Sequence, residues 1–414
     1  MALPDPALSL YVHVPFCTDK CLYCDFFSVP RGSVTPTAME KVVAETIKLA
    51  HRLVESAGNG ARVETLFVGG GTPSCLPPAE LETLLGAFSV LGCSEWTVES
   101  NPETLDASFL AACRRAGVTR LSVGIQSLST RHLHTLRRRA TREHALAALE
   151  LARRRWQGEL NLDFITGIPG QTVSDVRGDL SALGNGWPDH VSLYQLTVEP
   201  GTSLETMVDD GTITLNRSEL DEELWLSGRD ELARRGYSQY EISNFSLPGR
   251  ECRHNLRYWR IDPYAGAGPG AVSTLPASWA ARASSRPELA LHEQSVVRFT
   301  VPKDIASFLR GEEHFWGIET ELVGPADFLL ECIMMGLRLA AGIPEERLRS
   351  RFGRGFSDFF PGLWEAWVAR GLALPPDGSL KLSTDGLLIL DRLLREVVEK
   401  LHEAPIKDLR VKWP

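Results

Sequence analysis

The sequence predicts an α/β fold in which a (β/α)6 partial barrel precedes a smaller, mainly helical C-terminal domain. Between residue 9 and about residue 198, short apolar runs alternate with longer amphipathic runs. This alternation is typical of repeated strand–helix units that build a parallel sheet. Six strand-like runs in about 200 residues favour an open or partial barrel over a closed eight-stranded one.

The elements of the predicted barrel follow one another closely. Strands are predicted at residues 8–14, 65–68, 96–99, 121–125, 160–165 and 190–196, and helices at residues 37–56, 78–91, 107–116, 142–156 and 173–183. Thr37 and Glu40 have the spacing of a capping box at the start of the first helix, and Gly117 follows the third helix as a C′ residue. Because chemistry gathers at the carboxyl ends of parallel strands, the residues after each strand are the candidates for a site.

The alternation weakens after about residue 198. A helix is predicted at 218–235 and a strand at 240–243, whereas residues 272–325 are expected to form an irregular connection. Helices return at 327–341, 345–352 and 385–402, with a short strand at 379–382 that suggests a winged-helix-like unit. We therefore predict a barrel at 1–200, an extension at 201–325 and a helical domain at 326–414.

Composition and charge disfavour some classes of protein. The 414 residues include 53 acidic and 44 basic side chains, and the net charge of −9 argues against a general nucleic-acid-binding protein. The N-terminal residues lack the basic and apolar regions of a secretion signal, and no apolar run reaches the ~18 residues of a membrane span. We therefore expect a cytoplasmic protein.

Three cysteines, Cys17, Cys21 and Cys24, lie within eight residues just after the first strand. Thiolates suit iron–sulfur clusters and zinc, and the Cys-x3-Cys-x2-Cys spacing leaves a fourth corner open. A zinc site would need a second ligand pair, and only His13 is available nearby. A disulfide framework is disfavoured because the other five cysteines are scattered singly. The spacing therefore favours an open-cornered iron–sulfur cluster.

Polar or glycine-rich segments follow the later strands. Residues 69–74 read Gly-Gly-Gly-Thr-Pro-Ser, and glycines allow backbone groups to approach a small ligand closely. Glu99, Gln126 and Asp163 lie at or near the ends of three further strands. Each segment alone is typical of a turn or a surface group. Their common position beside the cysteine loop predicts that they converge on one pocket.

A second group of residues lies beyond the predicted barrel. Residues 254–259 read His-Asn-Leu-Arg-Tyr-Trp and follow Cys252. His254 could be a buried histidine beside core aromatic residues, or an axial ligand with aromatic walls for a flat macrocycle. From the residues alone the buried histidine is favoured, because histidine is often simply buried.

Taken in order, these motifs resemble the radical S-adenosylmethionine (SAM) superfamily, and more narrowly the oxygen-independent coproporphyrinogen III oxidase group with its haem chaperone branch of the HemW type. The matching segments are residues 10–24, 69–74, 122–127, 161–163, 167–171, 240–245 and 254–259. The resemblance implies that Cys17, Cys21 and Cys24 bind a [4Fe–4S] cluster whose open iron takes SAM. It implies SAM contacts from nine residues: Tyr11, Tyr23, Gly70, Gly71, Thr72, Glu99, Gln126, Arg138 and Asp163.

The implied contacts are chemically reasonable. A carboxylate such as Asp163 suits ribose hydroxyls, the glycines suit backbone contacts to the methionyl amine, and Arg138 suits a carboxylate. Relatives carry Leu-Gly-Arg where this chain reads Leu136-Arg137-Arg138. The loss of the glycine leaves the contact of Arg138 open.

Two departures favour the haem chaperone branch. The oxidases carry a fourth cysteine two residues after the third, where this chain has Phe26, and they have a longer N-terminal extension. In the chaperone branch the histidine of the His-Asn-x-x-Tyr-Trp motif is implicated in haem binding, which makes His254 a candidate haem ligand and Cys252 an additional one. We expect a haem chaperone without coproporphyrinogen oxidase activity. The alternative is a coproporphyrinogen III oxidase or a related radical SAM enzyme such as a methyltransferase.

The expected partners follow from this resemblance. They are haem as cargo, an apo-haemoprotein that receives it and an electron donor for the cluster. Nucleic acid is not expected, and a peripheral membrane contact and a homodimer stay open.

Overall fold

A computed structural model describes residues 7–58, 61–184, 186–292, 296–401, 406 and 409–413. Its strands are β1 Ala7–Val14, β2 Phe16–Cys17, β3 Val29–Pro30, β4 Arg62–Gly70, β5 Glu95–Ser100, β6 Arg120–Gln126, β7 Glu159–Thr166, β8 His190–Gln195, β9 Ser238–Gln239, β10 Asn244–Ser246, β11 Tyr264–Ala267, β12 Val272–Pro276, β13 Val296–Thr300, β14 Glu319–Val323, β15 Ile343–Pro344 and β16 Ser379–Leu380.

The helices cover the strands and build the C-terminal part. They are α1 Pro36–Ser56, α2 Pro78–Phe88, α3 Ala107–Ala116, α4 Thr130–Thr135, α5 Arg142–Arg155, α6 Val173–Ser181, α7 Ser203–Asp209, α8 Ser218–Arg234, α9 Arg253–Trp259, α10 Ala277–Ser284, α11 Ile305–Phe308, α12 Pro325–Gly336, α13 Glu345–Phe352, α14 Phe356–Phe359, α15 Leu363–Ala369, α16 Thr384–Leu388 and α17 Leu390–Leu401.

The main sheet confirms the predicted six-stranded parallel unit. Within a 12-stranded sheet, β1, β4, β5, β6, β7 and β8 are neighbours in that order and run parallel. Their inward and outward side chains are mostly buried, as expected for strands covered on both faces. The carboxyl ends of these strands therefore lie at the edge of the sheet where β1 leads into the cysteine loop.

The extension beyond the barrel corrects two predictions. The expected irregular connection at 272–325 is wrong, because β12, β13 and β14 pair antiparallel and continue the main sheet beyond β11. The apolar alternation of β13 is short, and a polar, proline-containing segment precedes it, so the strand signal was weak. The strand predicted at 240–243 is also wrong: these residues form the turn between β9 and β10, in which Tyr240 and Glu241 are buried.

Helix ends follow local capping chemistry. Thr35, and not the predicted Thr37, caps α1: its Oγ1 accepts a hydrogen bond from the Ala38 N–H at 3.2 Å, with Pro36 at the first helical position. Gly117 is confirmed as the C′ residue of α3, with φ of 92°. The helix predicted at 385–402 is two helices, α16 and α17, and residue 402 lies outside the described residues.

The described residues form two large hydrophobic cores, besides a small cluster of Leu136, Ile165 and Ile168. One lies between the main sheet and its helices, and the other is formed mainly by residues 323–411 around Phe356, Trp364 and Trp367. Strands β15 and β16 pair antiparallel as the small wing beside the second core. No helix in the described part of the chain is long and apolar enough to cross a membrane.

Candidate functional site

The segment 15–28, called the cluster loop below, connects β1 to β3 and carries the three cysteines. Its two ends are joined where β2 pairs with β3 and the Val29 N–H donates to the Pro15 carbonyl at 2.8 Å. Cys17, Cys21 and Cys24 are half-buried and form no disulfide. Burial raises the pKa of Cys17, and raises that of Cys24 to about 11. Their loop position leaves all three thiols available to a shared ligand.

The cysteines do not converge on a single point. No group of three or more His, Cys, Asp or Glu side chains among the described residues is arranged to hold one metal ion. A cluster takes each thiolate on a different iron, so it does not require the three sulfur atoms to meet. Three free thiols on one loop are chemically suited to bind an iron–sulfur cluster.

His13 anchors the far end of the cluster loop. Its Nε2–H donates to the Phe27 carbonyl at 2.8 Å, which leaves Nδ1 to accept from the Tyr11 hydroxyl at 3.0 Å. Burial lowers the pKa of His13 to about 4, against the hydrogen bond to Phe27 and with the help of the nearby Lys303 charge. The ring is therefore neutral in the folded protein at pH 7.

The lowered pKa of His13 predicts that the stability of the folded protein depends on pH. Its pKa lies below the unfolded value of 6.5, so between pH 6.5 and about 4 the unfolded chain takes up a proton that the folded chain does not. That uptake lowers the unfolding free energy by up to about 1.4 kcal/mol per pH unit below pH 6.5. Above pH 6.5 the contribution of His13 to the unfolding free energy is fully present. We expect the loss of unfolding free energy caused by His13→Gln to be about 1.4 kcal/mol smaller at pH 5.5 than at pH 7.5, measured by urea denaturation. An equal loss at both pH values would contradict the assignment.

The glycine segment 69–71 packs against the cluster loop itself. A Cβ on Gly71 would lie 2.5 Å from the Phe16 carbonyl oxygen and 2.7 Å from that of Val14. A Cβ on Gly70 would lie 2.3 Å from the His13 ring, and Gly70 also has a φ of 101°. The glycines were predicted to admit a ligand, yet the space beside these two is filled by the protein's own atoms. Their local role is to bring the cluster loop and β4 together.

Glu99 lies beside the same segment at the end of β5. Its Oε2 accepts from the Gly70 N–H at 3.0 Å. Burial, followed by the charge of Asp163, raises the pKa of Glu99 to about 8, and the Gly70 hydrogen bond only partly opposes this. A cationic group such as an amine bound beside these two half-buried carboxyl groups would favour their ionised forms and lower the pKa of Glu99.

Arg138 reaches the cluster loop although the neighbouring glycine of relatives is absent. Its Nη1 lies 3.3 Å from the Cys21 Sγ, and its Nη2 donates to Asn101 Oδ1 and to the Gly124 carbonyl, both at 2.8 Å. The Nε atom is buried without a partner in the described structure. This guanidinium therefore joins the cluster loop to the ends of β5 and β6.

Arg137 keeps the backbone conformation that the missing glycine would favour. Its φ is 49°, in the left-handed region, and its side chain is exposed. Because a side chain strains this conformation, we expect Arg137→Gly to raise the unfolding free energy by about 1 kcal/mol in urea denaturation. Arg137→Ala removes the same charge but retains a Cβ, so it should give no comparable gain. If the alanine variant gains as much unfolding free energy as the glycine variant, the effect comes from the lost charge and not from the backbone conformation.

Gln126 is the last residue of β6, and Asp163 lies three residues before the end of β7. Asp163 accepts from Ser122 Oγ at 3.1 Å and from Asn161 Nδ2 at 2.8 Å, and burial raises its pKa despite these hydrogen bonds. Gln126 follows a register shift between β6 and β7 and has a φ of 64°. Strained backbone of this kind clusters at functional sites.

The remaining predicted SAM contacts lie around the same loop. Tyr11 is next to His13, and burial followed by the charge of Glu99 raises its pKa well above 10. Burial also raises the pKa of Tyr23, partly offset by Arg138. Thr72 Oγ1 lies 3.6 Å from the Cys17 Sγ and accepts from Asn101 Nδ2 at 2.9 Å. Contacts such as those of Thr72 and Arg138 with the cysteines connect several of the nine residues named for SAM to the cluster loop, and their contact with SAM stays a prediction.

Asn101 is a site residue that the sequence reasoning passed over. It donates to Thr72 and accepts from Arg138, so it links the glycine segment to the guanidinium. The signal was its position directly after β5, two residues beyond Glu99. A single asparagine before a proline is typical of a turn, which is why it was not selected.

His254 lies away from the cysteines, behind the amino ends of β1 and β4. Its side chain is 2% exposed. Nδ1 lies 2.9 Å from the Thr65 hydroxyl and Nε2 lies 3.2 Å from the Tyr258 hydroxyl. Burial, aided by the charge of Arg257, lowers the pKa of His254 to about 3, so its ring is neutral. An iron would have to displace one of these hydroxyls to reach a ring nitrogen.

Cys252 lies at the start of the same short helix. Its Sγ is 3.5 Å from Glu95 Oε1, and burial followed by the Glu95 charge raises its pKa to about 12. Glu95 also accepts from the backbone N–H groups of Arg253 and His254 at 2.9 and 2.8 Å. In this arrangement Cys252 is a protonated thiol, which is a poor metal ligand.

Comparisons with known proteins identify the chain's relatives. Residues 11–183 match the model of the radical SAM superfamily, and residues 323–389 match that of the HemN C-terminal domain. The chain is 33% identical to the haem chaperone HemW of Synechocystis over 351 residues, which is 82% of this chain and 80% of the relative. The chain belongs to the HemW family of the radical SAM superfamily.

Other relatives agree with this assignment. HemW of Escherichia coli is 37% identical over 274 residues, covering 64% of this chain and 70% of the relative. A bovine mitochondrial protein, radical S-adenosyl methionine domain-containing protein 1, is 34% identical over 412 residues, covering 96% of this chain and 88% of the relative. The solved structure of coproporphyrinogen III oxidase (HemN) from Escherichia coli matches with a TM-score of 0.74 at 20% identity, covering 96% of this chain and 91% of that one. This last match shows a shared fold for the HemW family member described here.

Proposed function

We propose that this protein is a haem chaperone of the radical SAM type, which binds haem and delivers it to an apo-haemoprotein. The observation that carries the proposal is the pairing of a HemW-family chain with a complete three-cysteine loop and no fourth cysteine. Relatives that are 33–37% identical are named haem chaperones. Phe26, which stands where the oxidases carry the further cysteine, is 58% exposed beside the cluster loop.

The barrel site suits a [4Fe–4S] cluster and SAM. Cys17, Cys21 and Cys24 would each bind one iron, and the open iron would take the amino and carboxylate groups of SAM. When bound, the cluster supplies one electron to the sulfonium of SAM.

The chain's own residues would orient SAM in three ways. Glu99, with a raised pKa beside Asp163, offers a carboxyl group to the cationic end, and Arg138 offers a guanidinium to the carboxylate. Asp163 offers a carboxylate to the ribose hydroxyls. Tyr11, Tyr23 and the close-packed segment 70–72 would exclude water around the sulfonium.

The proposed haem site is His254 with the aromatic rings around it. Ring centroids lie 5.3 Å apart for Phe67 and His254, 5.0 Å for His254 and Tyr258, and 4.6 Å for Tyr258 and Tyr264. Phe67, Tyr258 and Tyr264 are partly exposed and could stack against a flat macrocycle. Iron binding at His254 Nε2 would require the Tyr258 hydroxyl to move away, and the high pKa of Cys252 makes that thiol the weaker candidate.

Anaerobic assay with coproporphyrinogen III tests the functional class. The reconstituted protein, supplied with SAM and a chemical reductant, should leave coproporphyrinogen III intact, while the same preparation binds haem with a defined Soret band. Stoichiometric decarboxylation of coproporphyrinogen III with SAM cleavage would contradict the chaperone proposal and favour the oxidase alternative. A coproporphyrinogen III oxidase run in parallel shows that the assay conditions support turnover.

A further inference from the structure

A chain of buried polar side chains leads from the floor of the barrel to Asp163. His190 on β8 lies 2.6 Å from Asn161 Oδ1 through its Nδ1 and 2.9 Å from the Tyr240 hydroxyl through its Nε2. Asn161 on β7 donates from Nδ2 to Asp163 Oδ1 at 2.8 Å and to Ser122 Oγ at 2.7 Å. His190 is 2% exposed, so no solvent competes for these bonds.

An ionised Asp163 sets the direction of the main hydrogen bonds in this chain. Asp163 accepts hydrogen bonds when it is ionised, so the Asn161 amide must turn its NH2 group toward it and its oxygen toward His190. His190 must then carry its proton on Nδ1 and accept at Nε2 from the Tyr240 hydroxyl. Burial, aided by the Arg120 charge, lowers the pKa of His190 well below 6.5, in agreement with a single neutral tautomer.

Asn161 serves both oxygens of the Asp163 carboxylate. It donates directly to Oδ1, and it donates to Ser122 Oγ, whose own hydroxyl proton then points to Oδ2 at 3.1 Å. If the Asn161 amide turned over, its oxygen would face a carboxylate oxygen and Ser122 would lose its donor. Two groups hold the Asn161 oxygen: His190 Nδ1 at 2.6 Å and the Ser192 hydroxyl at 3.2 Å. The aim of the carboxylate therefore depends on these two groups, and His190 makes the shorter contact.

The motif residues at 240 and 255 hold His190 in turn. Asn255 Nδ2 lies 3.3 Å from the Tyr240 hydroxyl and 3.3 Å from Glu241 Oε1. Tyr240 then has a donor from Asn255 on one side and an acceptor, His190 Nε2, on the other. Residues 240–245 and 254–259 thus contain a polar support for the SAM-side carboxylate, a role separate from haem.

We propose that His190 is a positioning residue for Asp163: by holding the Asn161 amide in one orientation, it aims the carboxylate at the adenosine ribose of SAM. The inference rests on the proposed SAM site. It assigns the segment around Tyr240 and Asn255, which contacts the amino end of β8 at His190, a supporting function in adenosine recognition.

A double-mutant cycle tests the inference on the cluster-reconstituted full chain, with S-adenosylhomocysteine as the probe and calorimetric affinity as the readout. His190→Leu removes the donor to Asn161 and should weaken binding about tenfold, as expected when a hydrogen bond to a charged group is misaligned. Asp163→Asn should weaken it at least as much. Because His190 acts through Asp163, the double variant should bind no more weakly than Asp163→Asn alone.

Two further variants separate positioning from folding. His190→Gln can donate to Asn161 and accept from Tyr240, so it should recover affinity to within about threefold of wild type. Tyr240→Phe removes only one hydroxyl from the chain and should weaken binding about threefold, again only while Asp163 is present. Its matched control is Tyr237→Phe, which removes a buried hydroxyl that donates to the Pro188 carbonyl at 2.6 Å, outside the chain; its affinity should equal that of wild type.

The outcomes distinguish the inference from the SAM site on which it rests. If Asp163→Asn weakens binding but His190→Leu and Tyr240→Phe do not, or if their effects multiply with that of Asp163→Asn, the positioning role is refuted and the SAM site stands. If wild type fails to bind the probe, or Asp163→Asn binds it like wild type, the proposed SAM contact fails and the inference fails with it.

Discussion

Replacing any one of Cys17, Cys21 and Cys24 with alanine should abolish the iron–sulfur cluster. Each thiolate is expected to hold a different iron, and among the described residues no further cysteine lies on the cluster loop to replace it. Anaerobic reconstitution followed by iron and sulfide analysis should therefore give about four of each per wild-type chain and close to none in each variant. The visible absorbance of the cluster should disappear in parallel.

Cys93→Ala is the matched control for this experiment. Cys93 is a half-buried free cysteine on a different part of the chain, after α2. It should keep the full iron and sulfide content. Full retention of iron and sulfide in all three loop variants would refute the cluster assignment, and a loss in Cys93→Ala would show that the assay reports general damage.

Gly71→Val should disrupt the cluster loop more strongly than a surface substitution could. The new Cβ would lie 2.5 Å from the Phe16 carbonyl and 2.7 Å from the Val14 carbonyl, and both are backbone atoms that cannot rotate away. Two backbone hydrogen bonds, from Gly71 N–H to Val14 and from Thr72 N–H to Phe16, hold this contact at 2.8 and 2.7 Å. We expect a loss of about 3 kcal/mol in unfolding free energy, at the upper end of typical overpacking costs, and loss of SAM binding.

Gly86→Val on α2 provides the control. A Cβ at Gly86 meets no atom within 4 Å, so the same change in residue type should alter the unfolding free energy by less than about 1 kcal/mol. Unchanged stability and SAM affinity in Gly71→Val would show that the cluster loop does not pack on the glycine segment as described.

The site at the strand ends could be predicted because it follows from short-range rules. Parallel strands bring their carboxyl ends to one edge. In the sequence, Cys17 comes shortly after β1, and Glu99 and Asp163 lie in the carboxyl-terminal halves of β5 and β7. The reason for the glycines could not be predicted in the same way. Whether the space beside Gly71 holds a ligand or the backbone of Phe16 depends on how two distant segments pack.

Long-range packing also explains why strands β12 to β14 and the partners of His254 could not be predicted. Strands β12 to β14 extend the main sheet beyond the edge strand β11. This pairing depends on β11, so it could not be predicted from the local pattern of residues 272–325. The residues alone favour a buried histidine at position 254, and His254 is buried in the structure. Its partners Thr65 and Tyr258 come from different elements, so the need to displace a hydroxyl for haem binding was hidden in the sequence.

Haem transfer tests the central claim most directly. The protein loaded with one haem is mixed with an apo-peroxidase, and the return of peroxidase activity is followed over time, with wild type compared with His254→Ala. We expect wild type to bind haem and restore activity, and His254→Ala to bind haem more weakly while its affinity for S-adenosylhomocysteine is unchanged. Wild type that binds no haem, or binds it without releasing any to the acceptor, would contradict the proposed chaperone function.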